Sequence, residues 1–176
     1  DVPVGSSLSG GIDSSSIVST INAQKTVQWL HQKTFSARFH SKAHDEGKFI
    51  KVVTHRVEAE THEVWVEPEQ FIDAFERLQY HQEEPMASAS PFAQWLVMQL
   101  ARENDTTVLL DGQGADEILA GYDQAHGMFR AHWLRRGRLD KVGRELSAYG
   151  RRYRGIREPA LYAAYYSLPG TLRDGL

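Results

Sequence analysis

Ser9-Gly10-Gly11-Ile12-Asp13-Ser14 follows directly on the apolar run Val2-Pro3-Val4-Gly5-Ser6-Ser7-Leu8, and this junction decides the fold. A short strand that feeds a glycine turn and then a helix is a standard way to build a phosphate site. Gly10 and Gly11 carry no Cβ, so their backbone takes positive φ readily and approaches an anion closely. Ser14, Ser15 and Ser16 then open a helix through Ile17, Val18 and Ile21, whose N-terminal amides and dipole favour negative charge. Ser9 and Ser14 add hydroxyl donors. Asp13 is the odd member, because a carboxylate beside a phosphate repels it unless a cation such as Mg²⁺ lies between them. The Gly-Lys-Ser/Thr of a Walker loop is missing. The competing reading is a Ser/Gly-rich turn with no ligand.

Outward from this turn, strand and helix patterns alternate. Thr34-Phe35-Ser36-Ala37-Arg38-Phe39 alternates and carries aromatics, as a second strand does. After a polar stretch over 40–47, the residues Phe49, Ile50, Val52, Val53 and Val57 recur at helical spacing, with Asp45 as cap. Thr61-His62-Glu63-Val64-Trp65-Val66 reads as a third strand that ends at Pro68, and 69–81 as a helix through Phe71, Ile72, Phe75 and Leu78. A loop over 82–90 leads to a helix with Ser90 as N-cap and Pro91 at its first position, running through Phe92, Trp95, Leu96 and Leu100. Thr106-Thr107-Val108-Leu109-Leu110 reads as a fourth, fully buried strand. This order predicts an α/β fold: a parallel sheet covered by helices on both faces. Ligands of such sheets sit beyond the carboxyl ends of the strands near the topological switch point. Residues 9–14 and the turn after Leu110 therefore face one crevice.

Composition narrows the classes. With 176 residues the chain holds one core-bearing domain, and its net charge of −3 offers no general reason for nucleic-acid binding. The absence of cysteine excludes disulfides, thiolate metal sites and cysteine nucleophiles within this chain. No apolar run reaches the length of a membrane span and no signal peptide is visible, so a cytoplasmic enzyme is the default. Strand signals stop at Tyr122. Residues 130–157 hold ten Lys/Arg against two acids, read either as solvated helices or as a surface for an anionic partner. His40 and His44 lie in a loop, where a spacing of four does not align side chains, and read as surface histidines. Trp29, Trp65, Trp95 and Trp133 sit in apolar patterns as core or core-edge residues. Glu83 and Glu84 are open to two readings, contact with a substrate amine or ammonia and a solvated acidic loop. The first residue falls just ahead of the turn and the last, Leu176, completes no element, so we expect a piece of a longer protein.

The turn at 9–14 resembles the SGGxDS signature of the ATP pyrophosphatase, or PP-loop, family, which cleaves ATP between its α and β phosphates. A second constellation, Asp111-Gly112-Gln113-Gly114-Ala115-Asp116-Glu117-Ile118-Leu119-Ala120-Gly121-Tyr122, follows the fourth strand. Here too glycines sit at a strand-to-helix turn, now among three carboxylates. Asp116 with Asp13 suits Mg²⁺ on a pyrophosphate. The alternative is a capped helix start whose acids favour the dipole. Two such motifs in this order, about a hundred residues apart, resemble the synthetase domain of the glutamine-dependent asparagine synthetase family, most closely over residues 1–125.

The resemblance implies a three-layer α/β/α parallel sheet of the PP-loop adenine-nucleotide hydrolase type over 1–125, with a helical continuation over 126–176. It implies that ATP activates a carboxylate, usually the aspartate side chain, as an acyl-adenylate with release of pyrophosphate. Ammonia derived from glutamine then displaces AMP to give the amide. Ser9, Gly10, Gly11, Asp13 and Ser14 would hold the pyrophosphate. Leu8 and Ala37 would line the adenosine pocket, Asp111 and Gly112 would meet the nucleotide from the other side, and Asp116 would join Asp13 on Mg²⁺. The family's usual Ser-Gly-Glu-Gly reads Asp111-Gly112-Gln113-Gly114 here. Gln113 stands where a Glu would orient or deprotonate ammonia, and an amide is no base at neutral pH. This leaves open a different acceptor, nucleophile or rate, as in relatives that amidate sugar carboxylates or close β-lactams; a nucleotide-binding regulatory module is the non-enzymatic alternative. The resemblance also implies a glutaminase domain in the full-length protein, admits a homodimer, and gives Lys141 no catalytic part.

Overall fold

The computed structural model describes residues 2–24, 32–153 and 155–173. Trp29 lies outside them. The chain divides into two compact units, Asp1–Gln113 and Gly114–Leu176.

The first unit is built on four strands, β1 (Val4–Ser7), β2 (Lys33–Arg38), β3 (Glu60–Trp65) and β4 (Val108–Leu110). Helices α1 (Ile12–Ala23), α2 (Gly47–Val57), α3 (Pro68–Gln82) and α4 (Ser90–Glu103) connect them. The sheet is parallel throughout, in the order β3-β2-β1-β4, as the alternating pattern predicts. The chain steps from β1 to β2 to β3 in one direction and returns to pair β4 on the far side of β1. The order therefore reverses at β1, which places the switch point at the Ser9–Ser14 turn.

Side-chain alternation sorts the core into two faces. On one, Leu8, Val18, Ile50 and Val57 pack beneath α1 and α2. On the other, Phe35 packs with Val97 and Ala101 of α4, beside Ala37, Leu100 and Leu109. A third cluster, Leu78, Phe92 and Leu96, joins α3 to α4 and takes in Val64, Val66, Phe71 and Trp95. Phe35 and Val18 are fully buried, and each such side chain contributes about 2 kcal/mol through burial.

Several expectations are corrected. β4 is not a buried central strand: Val108 is 39% exposed and Leu110 42%, because among the described residues β4 has one neighbour, β1. Helix α1 opens at Ile12 with Gly11 as its N-cap, earlier than the serine run suggests, which puts Asp13 and Ser14 in its first turn. Asp45 does not cap α2; Glu46 does, and Asp45 turns back to Arg38. Ser90 is the first residue of α4 and Ala89 its cap. Pro68 begins α3, where Glu67 and Gln70 form a reciprocal capping box. Trp65 is not core: it is 42% exposed, stacked with His40 and approached by the Arg38 guanidinium at 4.9 Å.

The second unit is helical over its described residues: α5 (Ala115–Leu119), α6 (Asp123–Arg135), α7 (Leu139–Tyr153), α8 (Arg157–Ser167) and α9 (Gly170–Arg173). Helices α6 and α8 pack closely, with Tyr162 and Tyr166 against Gly127 and the Arg135 guanidinium donating to the Tyr166 carbonyl at 2.6 Å. Much of the basic run is solvated. Arg135, Arg136 and Arg138 are exposed, Arg138 pairs with Asp140, and the Lys141 ammonium lies 5.0 Å from the Trp133 ring. Arg130 is the exception, buried over the Tyr149 ring.

Candidate functional site

The turn after β1 is knitted by its two serines. The Ser9 hydroxyl accepts the Gly11 N–H at 3.2 Å and lies 3.1 Å from the Ser14 hydroxyl. The Ser14 hydroxyl in turn lies 3.3 Å from the Gly11 carbonyl and accepts the Ser9 N–H at 3.3 Å. These bonds close residues 9–14 into a ring around the start of α1. Ser14 is buried while Ser9 faces solvent, so the ring is anchored from inside and open outside. Because Ser15 is the first α1 residue whose N–H reaches a helical carbonyl (Gly11, 3.1 Å), helix geometry leaves the amides of Ile12, Asp13 and Ser14 without intrahelical acceptors. A helix end with free amides of this kind favours negative charge.

Gly10 sits at φ +92°, a conformation that L side chains rarely adopt. A Cβ there would also lie 3.1 Å from the Glu46 carbonyl oxygen and 3.1 Å from the Phe49 Cβ, at the start of α2. Glycine is required at this position twice over. At the second turn, after β4, Gly112 packs directly on the start of α1: a Cβ on it would lie 3.0 Å from the Ser14 amide nitrogen and 3.2 Å from the Asp13 Cβ. The Asp111 carboxylate accepts the Gln113 N–H at 3.0 Å, which curls the chain after β4 back on itself. Thus Ser9, Gly10, Gly11, Asp13, Ser14, Asp111 and Gly112 gather around one helix N-terminus, although about a hundred residues separate the two turns.

Leu8 and Ala37 hold the expected strand-end positions. The Leu8 side chain is buried in the core, its N–H donates to the Phe35 carbonyl at 2.9 Å and its carbonyl accepts the Ser36 hydroxyl at 2.6 Å. Ala37 is half-buried beside Phe35. Gln113 is exposed at the end of the first unit. Asp116 belongs to the second, where it is half-buried against Gly121 and accepts that residue's N–H on its carbonyl at 3.0 Å. In the same unit the Tyr122 hydroxyl donates to Glu117 at 2.8 Å, and that bond raises the phenol's pKa. Among the described residues no group of three or more His, Asp or Glu is assembled as a metal site.

The other candidates resolve simply. His40 pairs with Glu67 at 2.7 Å and His44 lies 3.1 Å from the Ser41 hydroxyl, both on the surface. Glu83 and Glu84 are exposed, and the Glu84 carbonyl accepts the Gln79 side chain at 2.6 Å. Sequence reasoning missed one feature, the ion-pair network of Arg38 with Asp45 and Glu63 behind the Gly10 turn. A lone arginine in a strand that is otherwise buried, with acids nearby in the chain, was its visible signal.

The family model for asparagine synthase matches residues 1–171. Over 136 residues the chain is 33% identical to a protein of Methanocaldococcus jannaschii whose name assigns it provisionally as a glutamine-hydrolysing asparagine synthetase, covering 77% of this chain and 26% of that one. It is 36% identical over 123 residues to glutamine-hydrolysing asparagine synthetase 1 of Bacillus subtilis, covering 70% of this chain and 19% of that one. The amidase chyE of Penicillium rubens is 28% identical over 146 residues, 76% of this chain and 21% of that protein. The chain spans about a quarter or less of the length of these curated relatives. No helix among the described residues is long and apolar enough to cross a membrane.

Proposed function

Since the chain belongs to the asparagine synthase family, we propose that it supplies the ATP-binding part of a cytoplasmic ligase that adenylates a carboxylate, aspartate first among candidates, and passes it to ammonia. One carboxylate oxygen attacks the α-phosphorus, the α–β bridge bond breaks, and pyrophosphate leaves. Ammonia then attacks the acyl carbon and AMP departs with the electron pair of the broken C–O bond. The observation that carries this reading is the convergence of two glycine turns, at Gly10 and Gly112, on the bare amides that start α1. At both turns the missing Cβ lets backbone pack closely, Gly10 against the start of α2 and Gly112 against the start of α1, beside a helix end that favours anions.

In this reading Ser9, Gly10, Gly11 and Ser14 hold the pyrophosphate through hydroxyls and backbone amides, and Asp111 and Gly112 bound the nucleotide on the β4 side. The fixed amides of α1 stabilise charge that develops on the leaving group without reorganising, and no protein nucleophile is needed. Asp13 would hold Mg²⁺, and for Asp116 a part in metal binding rests on the family resemblance. The ion supplies charge neutralisation on the phosphates. Leu8 and Ala37 would set the floor of the adenosine site through their strand-end positions. Gln113 would orient an incoming amine by hydrogen bonding without deprotonating it. Ammonia would come from glutamine through a glutaminase domain of the full-length protein, and a homodimer is the proposed assembly.

The test is ATP–pyrophosphate exchange by the full-length protein with aspartate, with a panel of other carboxylates, and with none, beside an Asp13→Ala variant. Exchange with aspartate that vanishes in the variant supports the proposal. Exchange with a different acid alone moves the acceptor to that acid. ATP bound without any exchange replaces the ligase with a regulatory module.

A further inference from the structure

Arg38 closes β2 and is buried, with only 8% of its surface exposed. Its Nε donates to Asp45 Oδ1 at 2.8 Å, its Nη2 to Asp45 Oδ2 at 3.0 Å, and its Nη1 to Glu63 Oε2 on β3 at 2.7 Å. Asp45 also accepts the Phe39 N–H at 3.3 Å. A forked, doubly charged pair of this kind is among the stronger polar contacts a protein makes. The residues immediately after Asp45 are trapped between this arginine and the candidate phosphate turn. On one side the guanidinium lies so close over Gly47 that a Cβ there would collide with it. On the other, the Glu46 carbonyl and the Phe49 Cβ are the atoms that meet the open face of Gly10. The Glu46 carbonyl is itself fixed, accepting the N–H groups of Phe49 at 2.8 Å and Ile50 at 3.1 Å.

The segment over 41–44 is exposed throughout, so no core packing holds the approach to α2. The Arg38–Asp45 pair takes that part. Contacts run from Glu63 through Arg38 to Asp45 and Gly47, then through Glu46 and Phe49 to Gly10. We propose that Arg38 and Asp45 are positioning residues for the nucleotide: they press the start of α2 against Gly10 and so hold the turn in its anion-receiving conformation. Neither residue belongs to the turn. The proposal rests on the reading of that turn as the pyrophosphate site.

ATP affinity, thermal stability and the separate KM values for ATP and for the carboxylate are measured on the full-length protein and on three variants. Asp45→Asn keeps the shape and loses the charge. Gly47→Ala displaces the guanidinium without touching either partner. Glu63→Gln weakens the β3 end of Arg38 and leaves its tie to Asp45. The expected result is a rise of about tenfold in the dissociation constant and KM for ATP in Asp45→Asn and Gly47→Ala, equivalent to about 1.4 kcal/mol, with the KM for the carboxylate within about twofold. Glu63→Gln lowers the melting temperature but leaves ATP affinity within about twofold. Combining Asp45→Asn with Gly10→Ala gives less than the product of the two losses, because both loosen one contact.

Equal ATP affinity in the parent, Asp45→Asn and Gly47→Ala overturns the positioning role and leaves the site intact. So does an equal loss in Asp45→Asn and Glu63→Gln, which would mark general destabilisation. If Asp45→Asn does not fold, Gly47→Ala decides by the same criterion. A parent protein that binds no ATP at all overturns the reading of the site, and with it this proposal.

Discussion

Replacing Gly10 by alanine tests the site where its geometry is most demanding. At φ +92° a non-glycine residue costs about 1–3 kcal/mol in backbone strain. The added methyl would also stand 3.1 Å from the Glu46 carbonyl oxygen and 3.3 Å from the Glu46 Cβ, groups held at the capped start of α2. We therefore expect a total near the middle of that range or above, about 2 kcal/mol. For a chain of this size that corresponds to a fall of about 4–8 °C in melting temperature. If the turn relaxes instead, the strain leaves the fold and appears in the ligand: about 2 kcal/mol is about a thirtyfold loss of ATP affinity. Calorimetric unfolding with and without ATP·Mg²⁺, together with titration of ATP, separates the two routes. Gly137→Ala is the control, since Gly137 has φ +67° but no atom lies within 4 Å of where its Cβ would stand. It pays backbone strain alone and leaves ATP binding unchanged. A Gly10→Ala protein that matches the parent in both melting temperature and affinity, or fares no worse than Gly137→Ala, would refute the reasoning.

Two further outcomes are expected. The hydrogen bonds from Arg38 hold the Asp45 carboxyl at about 2, below its ordinary 3.8. A depressed carboxylate stabilises the fold fully above its unfolded value and loses that contribution as the pH falls through its folded one. Melting temperature should therefore drop between about pH 4 and about pH 2 by more in the parent than in Asp45→Asn, and parallel acid profiles would contradict this. Gly112→Ala adds a methyl group 3.0 Å from the Ser14 amide without a demand on φ, so ATP affinity should fall at least about tenfold while the melting temperature changes by less than about 4 °C. Isothermal titration and unfolding scans check it, and unaltered affinity would remove Gly112 from the site.

The chain's sequence alone determined what depends on neighbouring residues. Periodicities of two and of 3.6 are local, so β1, β2, β3 and the helices between them were legible, as was a parallel sheet, which alternation of strand and helix enforces. The turn at 9–14 was legible for the same reason: glycines, hydroxyls and a helix start stand side by side in the chain. Element ends were less so. Helix α1 begins at Ile12 behind a Gly11 cap rather than at Ser14, and Ser90 lies inside α4, because capping depends on a single backbone geometry that several adjacent residues can supply.

Only the tertiary structure decided which distant segments meet. An apolar Val108-Leu109-Leu110 reads as buried, yet its exposure depends on how many strands flank it, and β4 has β1 alone among the described residues. Asp45 carries the composition of a helix cap, but the arginine that claims it arrives from the end of β2 once the strand is paired. Gly10 advertises its positive φ through its type; that the start of α2 closes over it does not show in any spacing. Gly112 meets the start of α1 only because β4 pairs with β1, which brings together residues nearly a hundred apart. Local sequence specifies conformation at short range, whereas such contacts are set by the pairing of whole strands, which no single segment encodes.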